Sequence, residues 1–158
     1  MGLSLVLHAI VALIASEAIY HSHKGIPLKI NGHFTCPSTF VVYVIKCPCG
    51  LQYVGQTSRM IKVRIREHKS AIKTKKIEQA VACHFIEKGH GVQQLKFQVV
   101  DGVPILHRRG DRLKELLKRE AMWIRNPDLD WCRRYVRMDL FNTLLYIDVA
   151  TLYTMYSF

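Results

Sequence analysis

Acidic residues are scarce in this chain: 12 Asp and Glu stand against 23 Lys and Arg, giving a formal charge of +11 and a pI near 9.7. The shortage is sharpest between residues 59 and 76, where Glu67 is the single acidic residue. Such a run attracts phosphates and makes binding salt-dependent. A solvated helix face and a surface for acidic lipids are the other readings of the same run. Exposed aromatic residues do not alternate with basic ones as they do where single strands stack, so no sequence preference is legible.

A disulfide framework is also missing. The five cysteines, Cys36, Cys47, Cys49, Cys83 and Cys132, are odd in number and irregular in spacing, which argues against a disulfide scaffold. No apolar run is long enough for a confident membrane span: LSLVLHAIVALIASEA, within residues 1–20, is short and contains His8. Its small residues Ala15 and Ala18 suit a secretory signal, but no positive charge precedes them. The expectation for residues 1–19 is an added helix or a start from unrelated coding sequence, without stable membrane association. No internal repeat or low-complexity tract appears, and the length suits one domain with additions.

What is present patterns as an α+β fold, a small antiparallel sheet of about three strands flanked by helices. The run FVVYVIK, the turn Cys47-Pro48-Cys49-Gly50 and the run LQYVG form a hairpin signature. Strands are predicted at 39–46, 51–55 and 94–100, and helices at 59–73, 78–88 and 110–124. Gly55 is expected to end the second strand where the chain turns into a helix. The segment 101–109, with Pro104, reads as a flexible connection.

Four groups of residues offer chemistry. At helical period, residues 110–124 place Leu113, Leu117, Glu120 and Ile124 on one stripe. An ionised carboxylate in such a seam needs a partner or a metal. Residues 58–72 put Ile61, Ile65 and Ile72 inward with His68 among them and Arg64 one turn earlier, while Lys62, Arg66, Lys69 and Lys73 share the opposite face. Tyr43 and Tyr53 fall on the paired strands. Finally, Cys47 and Cys49 straddle Pro48, and His84 and His90 stand in an H-x5-H arrangement, together a Cys₂His₂ set. The C-x-C spacing is tighter than in ordinary zinc fingers, so spacing alone favours buried thiols.

Val41-Val42-Tyr43, Tyr53-Val54-Gly55, Arg64 and His68 on the following helix and Glu120 on a later one together resemble the GIY-YIG endonuclease pattern. The phrases LKINGHFTCPSTFVVYVIKCPCGLQYVGQTSR, VRIREHKSAI, HFIEKGH, LKFQVV and LLKREAMWI resemble more closely the endonuclease domain of Penelope-like retroelements, over about residues 20–124. That resemblance implies metal-dependent phosphodiester hydrolysis of DNA. Glu120 would hold a divalent cation, Mg²⁺ or Mn²⁺, Arg64 would bind the scissile phosphate, and Tyr43, with Tyr53 and His68, would help activate water. A tyrosine base has an unperturbed pKa of about 10 and needs a metal or Arg64 to lower it, so Tyr43 and His68 both stay in play. Arg59, Lys62, Arg66, Lys69 and Lys73 would contact DNA.

The resemblance also reverses the reading of the thiols: Cys47, Cys49, His84 and His90 become a structural zinc site, with Cys36 and Cys83 as substitutes. Its other implications are a nuclear location and a partner reverse transcriptase absent from these residues. Val41 replaces the eponymous Gly, and residues 125–158, an apolar tail, lack the family's Gly-Leu-Asn ending. Those departures leave a second hypothesis, a zinc-stabilised DNA-binding relic without cleavage. A third, a secreted or membrane-associated basic protein, rests on the leader alone.

Overall fold

The computed structural model describes residues 30–105 and 110–125. The expectations for the leader and for the tail beyond residue 125 lie outside that range. Within it the order is β1 (Val41–Lys46), β2 (Gln52–Thr57), α1 (Ile61–Lys73), α2 (Ala80–Glu87), a single 3₁₀ turn at Val92–Gln94, β3 (Lys96–Gly102) and α3 (Arg112–Ile124). The strands form one antiparallel sheet in the order β2-β1-β3. This is the α+β arrangement expected of the sequence.

Strand β1 is apolar at nearly every position because it is central and covered on both faces. Val41, Tyr43 and Ile45 point into a core with Ile61, Ile65 and Ile72 of α1 and Val81 and Phe85 of α2. Val42 and Val44 point the other way, joining Val54, Val100, Val103 and Leu116 of α3. The sheet is therefore a middle layer between α1 with α2 and α3, and period-two alternation along β1 assigns each side chain to its layer.

The hairpin closes through Cys47 N–H to Leu51 O at 3.0 Å and Gly50 N–H to Cys47 O at 3.1 Å. Gly50 takes φ +91°, a value that an L side chain resists. Helix α3 starts at Asp111, whose carboxylate accepts from the backbone N–H groups of Leu113 at 2.9 Å and Lys114 at 3.1 Å, an N-cap that satisfies two orphan donors.

Three local readings change. Asp101 and Gly102 belong to β3 instead of a loop, because the strand continues past a bulge opposite Val42 and Tyr43; residues 106–109 lie outside the described range. Gly55 sits inside β2, not at its end, and pairs with Tyr43. In α3 the fully buried side chain is Leu116, whereas Leu113 is 47% exposed. The packed side centres on Leu116, with Trp123 and Ile124 partly buried two turns further on, so the packed face is rotated from the one drawn through Leu113.

Candidate active site and metal cluster

Tyr43, at the middle of the central strand, is completely buried and gathers the predicted pocket around its hydroxyl. Its Oη lies 2.8 Å from His68 Nε2, and Arg64 Nε donates to it at 3.1 Å. His68 follows Arg64 by one turn of α1, which is why both reach the same oxygen. Tyr53 completes the ring cluster, edge-on to His68 with centroids 5.9 Å apart. Four predicted residues, Tyr43, Tyr53, Arg64 and His68, thus converge in one layer.

Gly55 makes room for this arrangement. A Cβ at that position would lie 2.7 Å from Tyr43 Oη, 2.8 Å from Tyr43 Cζ and 2.9 Å from Tyr53 Cε1, all closer than carbon contacts tolerate. The glycine is needed for the passage of two tyrosine rings across its strand, and not for a turn.

The electrostatics favour a neutral imidazole beside a permanent cation. Burial, and then the Arg64 charge, pull the His68 pKa down to about 3. For Arg64, burial works against the charge, but Tyr43, Tyr53 and Glu67 outweigh it and hold the pKa above the ordinary arginine value. Glu67, the acidic exception in the basic run, ties the entrance together. Its carboxylate accepts from Arg59 at 2.8 and 2.9 Å and from Arg64 Nη1 at 3.3 Å. The slight burial of Glu67 opposes ionisation, and the two arginines overcome it and lower its pKa.

Glu120 comes from the other layer. It is half-buried on α3, one turn beyond Leu116. Sequence reasoning missed the group that anchors this helix. Asp101, 4% exposed at the end of β3, accepts from Arg119 Nη1 at 2.7 Å and from Trp123 Nε1 at 3.2 Å. Arg119 Nη1 also donates to Gly102 O at 3.0 Å. Arg119 and Trp123 are spaced to straddle Glu120, so the clamp on Asp101 fixes the turn that carries it. In the sequence Asp101 looked like the start of a loop, and only the strand pairing shows it buried.

Where the 47–50 turn meets α2, Cys47, Cys49, His84 and His90 bring one ligand atom each to within 4.8 Å of one another. His84 Nε2 is 3.2 Å from Cys47 Sγ and 3.3 Å from Cys49 Sγ. The two sulfurs are themselves paired. A disulfide explains neither the aim of His84 nor the approach of His90, while a metal explains both, and the quartet could hold a metal ion. Burial, then the charges of His90 and Lys88, lower the His84 pKa and favour the neutral form that ligates. Cys36 and Cys83 stand outside the quartet. A small cavity of about 20 Å³, bounded by Cys47, Gln52, Tyr53 and His84 among others, lies beside this cluster.

The proposed DNA-contacting residues divide. Lys62, Arg66 and Lys73 are exposed and Lys69 is half-buried, whereas the Arg59 guanidinium is engaged by Glu67. Among the described residues no helix is long and apolar enough to cross a membrane. No family model, curated protein or solved structure matches this chain.

Proposed function

We propose that this chain is a DNA endonuclease domain of GIY-YIG type, of the kind carried by Penelope-like retroelements, with a structural zinc site. The observation that carries the reading is the convergence of Arg64 and His68 on Tyr43 Oη, across a strand where Gly55 leaves room for the ring. A guanidinium fixed beside a buried phenol suits a phosphodiester, since Arg presents a planar fork to phosphate oxygens.

Roles follow from the hydrogen bonds. Arg64 can only donate, so Tyr43 Oη accepts from it. His68 Nδ1 is buried with no hydrogen-bond partner among the described residues. Placing the imidazole proton on Nε2 therefore avoids an orphaned N–H, and Nε2–H also donates to Tyr43. With both neighbours donating, loss of the Tyr43 phenol proton is stabilised. Tyr43 is thus the group that takes a proton from water, His68 positions it, and Arg64 both supports it and holds the phosphate.

Glu120 would hold the divalent cation. A half-buried carboxylate is the hard oxygen ligand that Mg²⁺ or Mn²⁺ accepts, and Mg²⁺ keeps most of its waters. When bound, the cation would supply charge stabilisation at a phosphate. The quartet would hold zinc with Cys47 and Cys49 as two thiolates, which requires the paired sulfurs of this structure to be reduced and to separate: ligands at about 2.3 Å for sulfur and about 2.0 Å for nitrogen stand about 3.5 Å apart in a tetrahedron, close to the 3.2 and 3.3 Å from His84 Nε2 to the two sulfurs. With all four positions taken by protein, its role is structural. The nucleus as location and a reverse transcriptase as partner belong to the same proposal.

A second reading, a DNA-binding domain without cleavage, is favoured by the quartet being built independently of Glu120. Supercoiled-plasmid nicking decides between them. The parent should nick with Mg²⁺ and not without it, and Glu120→Gln should lose nicking while keeping fold and DNA binding. DNA binding without nicking by the parent would select the second reading.

A further inference from the structure

Glu67 joins two arginines in an ion-pair network at the mouth of the proposed phosphate pocket. Both of its oxygens are used: Oε1 by Arg59 Nη1 at 2.8 Å, and Oε2 by Arg59 Nη2 at 2.9 Å and Arg64 Nη1 at 3.3 Å. That is the two-pronged geometry by which arginine grips a phosphate. The side chain stays 36% exposed and that of Arg59 60%, so the network is open to solvent and exchangeable instead of locked in the core. Arg64 has a second anchor in Tyr43, independent of Glu67. It therefore does not need the carboxylate to stay in place.

We infer that Glu67 is an internal phosphate mimic, a latch that occupies Arg59 and Arg64 until a backbone phosphate displaces it. The inference rests on the proposed action on DNA and adds a control on the same site. An incoming phosphodiester anion would take over the donors of Arg59 and Arg64 and push the carboxylate into solvent. The cost of that exchange subtracts from affinity, so contacts elsewhere on the basic face must help to open the latch. A short or poorly placed anion would be discriminated against.

The test is duplex binding by fluorescence anisotropy, using the full chain over a series of salt concentrations without added Mg²⁺. Chelator is omitted so that the Cys/His cluster is undisturbed. Glu67→Gln should tighten binding about fivefold, the scale of one exposed ion pair, and steepen the log–log salt dependence by about one phosphate contact. Glu78→Gln, an exposed control beside the basic run, should give a smaller gain because it only changes net charge. Adding Arg59→Ala to Glu67→Gln should remove the gain. Weaker or unchanged binding by Glu67→Gln, in a parent that binds duplex, would overturn the latch and make Glu67 a support for Arg64. No binding by the parent would overturn the DNA reading and the latch with it. Matched melting curves for parent and variants show that each difference is one of binding and not of folding.

Discussion

Tyr43 crosses directly over Gly55, its partner in the sheet register, with no space between ring and backbone for a methyl group. Tyr43 has no exposed surface and His68 and Arg64 hold its hydroxyl, so it cannot swing aside cheaply. Gly55→Ala should cost about 1–3 kcal/mol by overpacking and reduce nicking further than the lost stability explains. Urea melts beside the plasmid assay separate the two effects. A variant as stable and as active as the parent would show that the rings move freely.

His68 makes the fold acid-sensitive. Its pKa is near 3 in the folded chain and about 6.5 unfolded. Below pH 6.5 the unfolded state therefore binds a proton that the folded state refuses. Stability attributable to His68 is complete above about pH 6.5 and falls as the pH drops toward 3. Denaturant midpoints between pH 7 and 4 should decline more steeply for the parent than for His68→Gln. Parallel profiles would remove His68 from the acid response.

Zinc content tests the quartet. Purified chain should carry about one zinc, and a chelator should lower its melting temperature because a metal held by the quartet would join the 47–50 turn to α2. Cys47→Ser and His84→Ala should lose the metal. Cys36→Ser and Cys83→Ser should keep it, since neither belongs to the cluster. Metal-free protein with an unchanged melt would leave the paired sulfurs as the only bond between these cysteines.

The face of α3 is open to a paired substitution. Leu116 is fully buried and Leu113 is 47% exposed. Leu116→Ala should destabilise by about 2–5 kcal/mol, and Leu113→Ala by a few tenths at most. Equal losses would mean that the helix is rotated from the position described.

Local chemistry made much of this protein legible in its sequence. A nearly unbroken apolar run before a Pro/Gly turn specified a hairpin strand, and period 3.6 in α1 separated Ile61, Ile65 and His68 from Lys62, Arg66 and Lys73, because side-chain direction in a regular element depends only on spacing. The meeting of Cys47 and Cys49 with His84 was open to spacing only as a set of suitable ligand types.

What tertiary structure alone decided concerns partners distant in the chain. Whether Leu113 or Leu116 faced the sheet depended on the rotation of α3, which is set by the grip of Asp101 on Arg119 and Trp123, 18 and 22 residues away. Gly55 read as a turn residue until strand pairing placed it beneath Tyr43. Glu67 read as a stray acid in a basic helix until the chain brought Arg59 and Arg64 to its two oxygens. Burial and charge pairing depend on positions in space, and a hydrophobic period carries no information about which distant residue will fill a given place.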